Sequence, residues 1–286
     1  RIVWTMRDMW PFTGGCHYSL GCKKYEWGCG QCPQLQSKKR KDLSSYLAAR
    51  KMKIYRSQRI NYVAISEWLK RAAEKSEFIS EGSISVIDNC IDENEFVYIE
   101  KNHARKLLNI DTSLGKKKIV LIGAQNVSDK YKGFEYFLEA LNFLDRREYA
   151  IASFGRGDSI KNVAGFEVID FGYVADSNTL NRIYAASDIF VCPSLQEAFG
   201  KTVVESISSG TPVVCFSDTG PADIITHKVN GFISSRFSSE SIANGILFFS
   251  GFSQSSRQEI SQSMGKYYSH YSAKKYIKLY HKLMNN

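Results

Sequence analysis

The chain has 286 residues, a formal charge of +9 and seven cysteines. That length suits two domains of ordinary size, each able to bury a core of its own. No apolar run approaches the ~18 residues of a membrane span, and Ile2 to Met6 reads as a buried strand with no signal peptide before it, so the chain is expected to begin inside a longer protein.

Four of the seven cysteines, Cys16, Cys22, Cys29 and Cys32, follow in the spacing C-x5-C-x6-C-x2-C. The closing C-G-Q-C is a pair of the kind that turns around a tetrahedral metal, which makes structural zinc the first reading. Two disulfides and a redox pair at Cys29 and Cys32 are the alternatives. Pro11 and Gly14-Gly15 mark the segment as a loop.

Most of the charge excess lies between Ser37 and Arg59, where Lys38, Lys39, Arg40, Lys41, Arg50, Lys51, Lys53, Arg56 and Arg59 face only Asp42. Leu43, Tyr46, Leu47, Arg50 and Ile54 fall at helical spacing beside them. This is either a solvated helix face or an interfacial helix held against an anionic membrane surface. No binding motif accompanies the charge to point to nucleic acid.

Leu43 to Arg56 reads as a helix, Asn61 to Ile65 as a strand, and Ser66 with Glu67 as the start of a helix reaching about Lys75. Ser83 to Ile87 is a further strand, and His103 to Leu114, helical and then polar, reads as a linker. We therefore divide the chain into residues 1–114 and 115–286. In the second part Ile119 to Ala124, Tyr149 to Phe154, Phe166 to Phe171, Asp188 to Cys192 and Pro212 to Phe216 are short apolar runs between helical patterns, the signature of a parallel sheet covered on both faces. From Ser238 the chain reads as two helices.

Between two of those strands lies S-L-Q-E-A-F-G-K-T-V-V-E-S-I-S-S-G, residues 194–210, a loop running into a helix that starts near Gly200. Glu197 belongs to the loop at a strand's carboxyl end and Glu205 to the helix. Open α/β sheets bind ligands in that crevice. Gly200 lets backbone approach a bound group, and the first N–H groups of the helix suit a phosphate. Two carboxylates beside a phosphate site accept from hydroxyls, and a ligand with phosphate in the middle and hydroxyls at both ends is a nucleotide sugar. The competing reading is two solvated acids, one favoured by the helix dipole. S-F-G-R-G-D lacks the full dinucleotide fingerprint and argues against a nicotinamide cofactor.

E-A-F-G-K-T-V-V-E resembles the E-x-F-G-x-x-x-x-E signature of retaining family 4 glycosyltransferases. That resemblance implies an α/β GT-B fold of two Rossmann-like domains, the first of them incomplete here. It implies that Glu197 contacts the donor sugar, that Phe199 and Gly200 meet sugar and phosphates, and that Glu205 holds the ribose. G-A-Q-N-V-S-D-K-Y-K-G-F is similar to the family's diphosphate clamp, with Lys132 as its lysine and Gly123 and Gln125 at the strand exit. The clamp's arginine is absent, which leaves Lys130 or Arg156 to supply the second charge; Gly220 with Asp223 stands near the donor. D-M-W-P-F-T-G-G-C-H-Y and C-G-Q-C-P-Q-L resemble a branch assigned to bacterial cell-surface polysaccharide synthesis. There a histidine precedes the aspartate; here Arg7 precedes Asp8, and His17 is the nearest histidine on the acceptor side.

The implied function is transfer of a sugar from a nucleotide diphosphate sugar to a glycan or polyprenyl-linked glycan acceptor with retention, at the cytoplasmic face of a membrane, with Glu197 and Lys132 as the catalytic pair. No D-x-D pair is present, so no cofactor is expected for catalysis, beside structural zinc. A nucleotide-sugar epimerase of the same fold and a noncatalytic zinc-stabilised glycan- or membrane-binding module are the rival readings. With about three strands in its first part, the recorded chain is expected to transfer sugar poorly and to associate through an open sheet edge.

Overall fold

The structure, a computed structural model, describes residues 2–79, 84–110, 117–126, 129–156, 163 and 165–285, with the side chain of Gln125 outside that description. The first sheet is parallel, in the order β1 (Ile2–Met6), β2 (Ile60–Ala64), β3 (Ile84–Val86), with Ile2 opposite Ile60 and Tyr62 opposite Ile84. Parallel neighbours need a crossover. The one from β1 to β2 carries the cysteine-rich segment and then α1 (Leu43–Arg56), whose start is fixed by a capping box between Asp42 and Ser45. Helix α2 (Glu67–Glu74) begins at Ser66, whose hydroxyl accepts from the Leu69 N–H.

Helix α3 (Lys101–Leu107) covers the start of the expected linker and docks on the second half of the chain. Lys101 and Arg105 both reach the Asp188 carboxylate, at 2.6 and 2.7 Å, and the Ile119 N–H donates to it as well. Residues 111–114 of that linker and residue 83 of the expected third strand lie outside the described residues.

The second sheet is also parallel: β4 (Lys118–Asn126), β5 (Tyr149–Arg156), β6 (Glu167–Asp170), β7 (Ile189–Cys192), β8 (Val213–Phe216) and β9 (Gly231–Ser234), in the spatial order β6-β5-β4-β7-β8-β9. Between them run α4 (Phe134–Ala140), α5 (Ser177–Ala186), α6 (Lys201–Ser208) and α7 (Gly220–Ile224), with α8 (Ser239–Phe249) after β9. Alternation along the strands splits the core by face. Leu121, Ala152, Phe190 and Cys215 join one apolar cluster with α5 and α6, while Ile122, Ile151, Val191 and Phe216 join another with α4 and α8. The first of these clusters continues without a break into Met6, Phe12 and Leu69 of the first domain. The strand order reverses between β4 and β7, and there the connections leave to opposite sides and open a crevice.

Three helices follow β9 where two were expected: α8, α9 (Gln254–Gln262) and α10 (Ser269–Met284). The division comes from a turn at Gly251 and from Ser253, whose hydroxyl caps α9. Helix α10 returns to the first domain, where Ser272 Oγ donates to the Asp88 carbonyl, Lys275 pairs with the Asp88 carboxylate at 2.9 Å, and Tyr276 bonds Thr5 of β1 at 2.7 Å.

Helix α9 contributes Arg257, which is 1% exposed. Its guanidinium donates to the carbonyls of Ala185 and Ser187, both at 2.9 Å, and to Thr211 Oγ1 at 2.8 Å. Burial pulls its pKa down to about 10, opposed by Asp188, so the group stays charged. It ties the end of α5 to the start of β8. Arg257→Ala is expected to lower the unfolding free energy by about 3 kcal/mol or more, because the buried oxygens lose their donor. Urea denaturation checks this, with Arg257→Lys expected between the two; a loss below about 1 kcal/mol would mean the carbonyls find other donors.

Candidate functional site

At the reversal point the exits of β4 and β7 face each other across a cavity of about 250 Å³. Gly123, Ala124 and Asn126 of β4 line one side, and Cys192, Pro193, Ser194 and Glu197 the other. The turn Lys130–Lys132 after β4 lies close over the β7 exit: Leu195 N–H donates to the Tyr131 carbonyl at 2.7 Å. Such an approach requires glycine at position 133, where φ is +66° and a Cβ would sit 2.0 Å from the Pro193 carbonyl oxygen. Sequence thereby delivers Lys132 to the cavity.

Lys132 Nζ meets Glu197 Oε2 at 2.7 Å, with both side chains 19% exposed. Burial works against the ammonium, yet Glu197, with smaller help from Cys192 and Tyr131, holds it above the ordinary lysine value. The other carboxylate oxygen accepts from Tyr18 of the first domain, at 3.3 Å. Gly220 braces the same loop from behind: its N–H donates to the Glu197 carbonyl at 2.8 Å, and a Cβ there would lie 2.5 Å from the Ala198 carbonyl carbon.

Gly200 is the left-handed N-cap of α6, and no side chain caps that helix. Lys201 and Thr202 of its first turn line the cavity. Their N–H groups have no partner within the helix. Phe199 turns away from the cavity into the core and is 2% exposed, its ring 5.8 Å from that of Tyr267. Glu205 lies one turn along α6, 5% exposed, accepting from Tyr184 Oη at 3.2 Å and facing Lys201 Nζ at 3.5 Å. Burial pushes its carboxyl up, against Lys201 and Tyr184, and the residue does not line the cavity.

The residues read as candidates for a second charge do not line this cavity. Lys130 is exposed, and Arg156 is exposed with its guanidinium stacked 4.1 Å over the Tyr173 ring; neither lines the cavity. Lys201 does. Its signal was its place directly after the cap glycine. Asp223, expected near the donor, instead accepts from the Trp68 N–H at 2.5 Å and pairs with Arg71 at 3.0 Å, tying α7 to α2 across the domain junction. Gln125 lies outside the described side chains.

On the first domain, Asp8 holds both the Trp10 N–H and His17 Nδ1, each at 2.7 Å, while Arg7 makes only a 3.5 Å contact with Asn89. A larger cavity of about 390 Å³ opens at the domain junction, lined by Met9, Lys23, Trp68 and Arg71 from one side and Gln196, Asp218 and Arg236 from the other. It went unread in the sequence because its walls come from segments far apart in the chain.

Cys16, Cys22, Cys29 and Cys32 are free thiols facing one cavity of about 20 Å³, the size of a single water or ion. The Gly14 N–H donates to Cys29 Sγ at 3.2 Å. Burial pushes the Cys16 thiol up to about 11, with its three cysteine neighbours adding to the effect. The donor set suits zinc chemically. Even so, among the described residues no three His, Cys, Asp or Glu side chains are arranged at ligation spacing.

Of the basic segment, Lys51 is not on the surface. Its ammonium bonds the carbonyls of Trp10 and Thr13, at 2.7 and 3.1 Å, and sits 3.4 Å over the Trp10 ring. Lys38, Lys39, Arg40, Lys41, Arg50, Lys53, Arg56 and Arg59 are exposed, as are Leu43, Tyr46 and Ile54. Among the described residues no helix is long and apolar enough to cross a membrane.

Residues 116–249 match the family described as Glycosyl transferases group 1. An uncharacterized glycosyltransferase of Methanocaldococcus jannaschii is 29% identical over 197 residues, 64% of this chain and 49% of that protein. A putative colanic acid biosynthesis glycosyl transferase of Escherichia coli K12 is 24% identical over 228 residues, 78% of this chain and 54% of that protein. Sucrose-phosphate synthase of Thermosynechococcus elongatus superposes with a TM-score of 0.71 at 19% identity, covering 99% of this chain and 68% of that one. The chain spans about half the length of the curated relatives it matches. The likenesses are to group 1 glycosyltransferases, and the fold is GT-B, α/β with two Rossmann-like domains.

Proposed function

We propose that this protein is a retaining glycosyltransferase of family 4 that takes a sugar from a nucleotide diphosphate sugar and passes it to a hydroxyl of a glycan or lipid-linked glycan. The observation that carries the reading is the Lys132–Glu197 pair in the β4/β7 crevice beside the uncapped start of α6. In the reaction the bond from the anomeric carbon to the diphosphate oxygen breaks, and the acceptor oxygen bonds to that carbon on the same face. The acceptor's proton goes to the departing diphosphate.

Negative charge grows on the diphosphate as it leaves, so fixed positive groups there lower the barrier. Lys132, Lys201 and the first N–H groups of α6 take that role, and Lys201 replaces Lys130 and Arg156 as the second charge. Glu197 accepts from a hydroxyl of the donor sugar, with Gly123 and Gly200 leaving room for the bound group. Glu205 accepts from the ribose, which requires Lys201 to swing off its carboxylate. The cavity at the domain junction, with Asp8 and His17 nearby in sequence, is the acceptor side. The polysaccharide assignment draws on the name of the Escherichia coli relative.

Two accessory readings belong to the same proposal. The four cysteines hold one structural zinc, an ion drawing the thiols inward around the cavity they already face. The exposed basic residues with Leu43, Tyr46 and Ile54 seat the first domain on an anionic membrane.

Calorimetry against nucleoside diphosphates tests the donor site. Lys132→Ala and Glu205→Ala are each expected to weaken binding roughly ten- to a hundredfold, the effect of losing a charged hydrogen-bond partner. Unchanged affinity in both variants would remove the assignment.

For the cysteines, protein purified without added metal is expected to carry about one equivalent of zinc, and a chelator to speed amide exchange across residues 11–35 while leaving the second sheet protected. Less than about a tenth of an equivalent, with four titratable thiols, would rule the site out.

For the basic face, co-sedimentation with vesicles rich in phosphatidylserine is expected to fall as salt rises, and to fall further when Lys38, Lys39, Arg40 and Lys41 are changed to Ala, each near-surface charge being worth about 1 kcal/mol. Equal binding to neutral vesicles would overturn it.

A further inference from the structure

We propose that Tyr18 is a positioning residue for Glu197, and that recognition of the donor sugar, unlike recognition of the nucleotide, depends on the first domain; this rests on the donor-site reading above. Three consecutive residues of the β7 exit loop are gripped from the first domain. Gln196 accepts from the Leu20 N–H at 2.7 Å and donates to Ser19 Oγ at 3.3 Å. Glu197 accepts from Tyr18 at 3.3 Å. The Ala198 carbonyl accepts from Ser66 Oγ at 2.5 Å.

Orientation of the phenol is specified, because its oxygen accepts from the Ala198 N–H at 3.3 Å and so directs its own proton to the carboxylate. The ring lies 5.2 Å from that of Tyr131, on the turn that carries Lys132. Backbone bonds place Tyr18 on either side: His17 O accepts from the Met9 N–H at 3.0 Å, and Tyr18 O accepts from Gln34 Nε2 at 2.7 Å. Burial, and then the neighbouring carboxylate, push the phenol well above its usual range, which suits a donor and not a base.

The Glu197 carboxylate is thus clamped at one oxygen by its own domain and at the other by the partner domain. An ionised carboxylate has about four lone-pair sites, so both oxygens can still accept from a sugar. If the first domain withdraws, Glu197 keeps Lys132 alone and its second oxygen swings free. The groups assigned to the nucleotide, Lys132, Lys201 and Glu205, all sit on elements of the second domain, and Tyr18→Phe leaves the ring against Tyr131.

The test uses the whole chain and paired probes: UDP, GDP and ADP with their glucose conjugates, by calorimetry. Tyr18→Phe keeps the ring on Tyr131 and removes only the hydroxyl. It is expected to weaken the sugar conjugate about tenfold while leaving the nucleoside diphosphate within about twofold, as loss of one bond to a charged group predicts. In a Glu197→Ala background the same change is expected to do nothing, since the effect runs through Glu197. Equal weakening of both probes, no change in either, or tighter binding of the sugar conjugate would overturn the inference. So would an undiminished effect in the Glu197→Ala background. If Glu197→Ala itself weakens the sugar conjugate and Tyr18→Phe does not, only this inference fails. If the wild type binds none of the probes, the donor-site reading fails with it.

Discussion

The candidate site depends on one ion pair kept from bulk water. Lys132 and Glu197 are 2.7 Å apart and mostly buried, and each is tolerated there because the other is present. Neither residue is near the other in sequence. They meet because β4 and β7 are neighbours at the point where the sheet reverses, so the turn after one strand and the loop after the other empty into the same crevice. A pair that satisfies itself in this way also sets a condition on any ligand. An anionic group must give Lys132 at least what Glu197 gives it, and a donor to Glu197 must reach it while leaving its neighbours in place.

How far this was legible in the sequence depended on whether the signal was local. Helix α1 was readable to the residue because Asp42 and Ser45 cap it and the pattern behind them is continuous. The strands of the second sheet were readable as short apolar runs, Glu197 and Glu205 as a signature of fixed spacing, and Lys132 from a separate run after the first of those strands. Three things were not. The end of the chain gives three helices because a single glycine and a capping serine interrupt an otherwise helical composition, and composition alone does not locate such a break. Lys130 and Arg156 were read as candidates for a second charge, but neither lines the crevice: β5 ends with Arg156 turned onto Tyr173, while the start of α6 places Lys201 there. Lys51 was counted with a charged face although its ammonium is held by two carbonyls and an indole, a role that the charge of a residue does not disclose.

The cysteine-rich segment shows why long irregular loops are kept. Between Thr13 and Asp42 its described residues form only a short 3-10 turn, Lys24–Trp27, and such a length of loop inside a compact domain is usually functional. Lys51 pins its beginning, the Cys32 N–H donates to the Asp42 carboxylate near its end, and Ser76 holds its middle through the Tyr25 carbonyl. What those anchors fix is the part that reaches the other domain, Tyr18 to Leu20. A cross-link among the four thiols, of whatever kind, would stiffen the same span. Stiffness there matters more than in a surface loop, because the tip touches the loop that carries Glu197 directly.

Among the described residues the two domains meet through three kinds of contact, and the kinds are not equivalent. Asp223 with α2 and Ser66 with Ala198 are short polar contacts at the junction, the first partly open to water and the second buried. Helix α10 is a covalent return of the chain, bonded to Thr5 of β1 and to Asp88 just beyond β3. The apolar cluster shared by both domains is the third. Apolar contact tolerates sliding better than directional hydrogen bonds do, since it is proportional to area and indifferent to angle. A rotation of the domains about α10 would therefore break the polar contacts to the Gln196–Ala198 loop before it exposed much of the shared core. The loop that carries Glu197 is thus a part of the second domain held to the first by directional contacts.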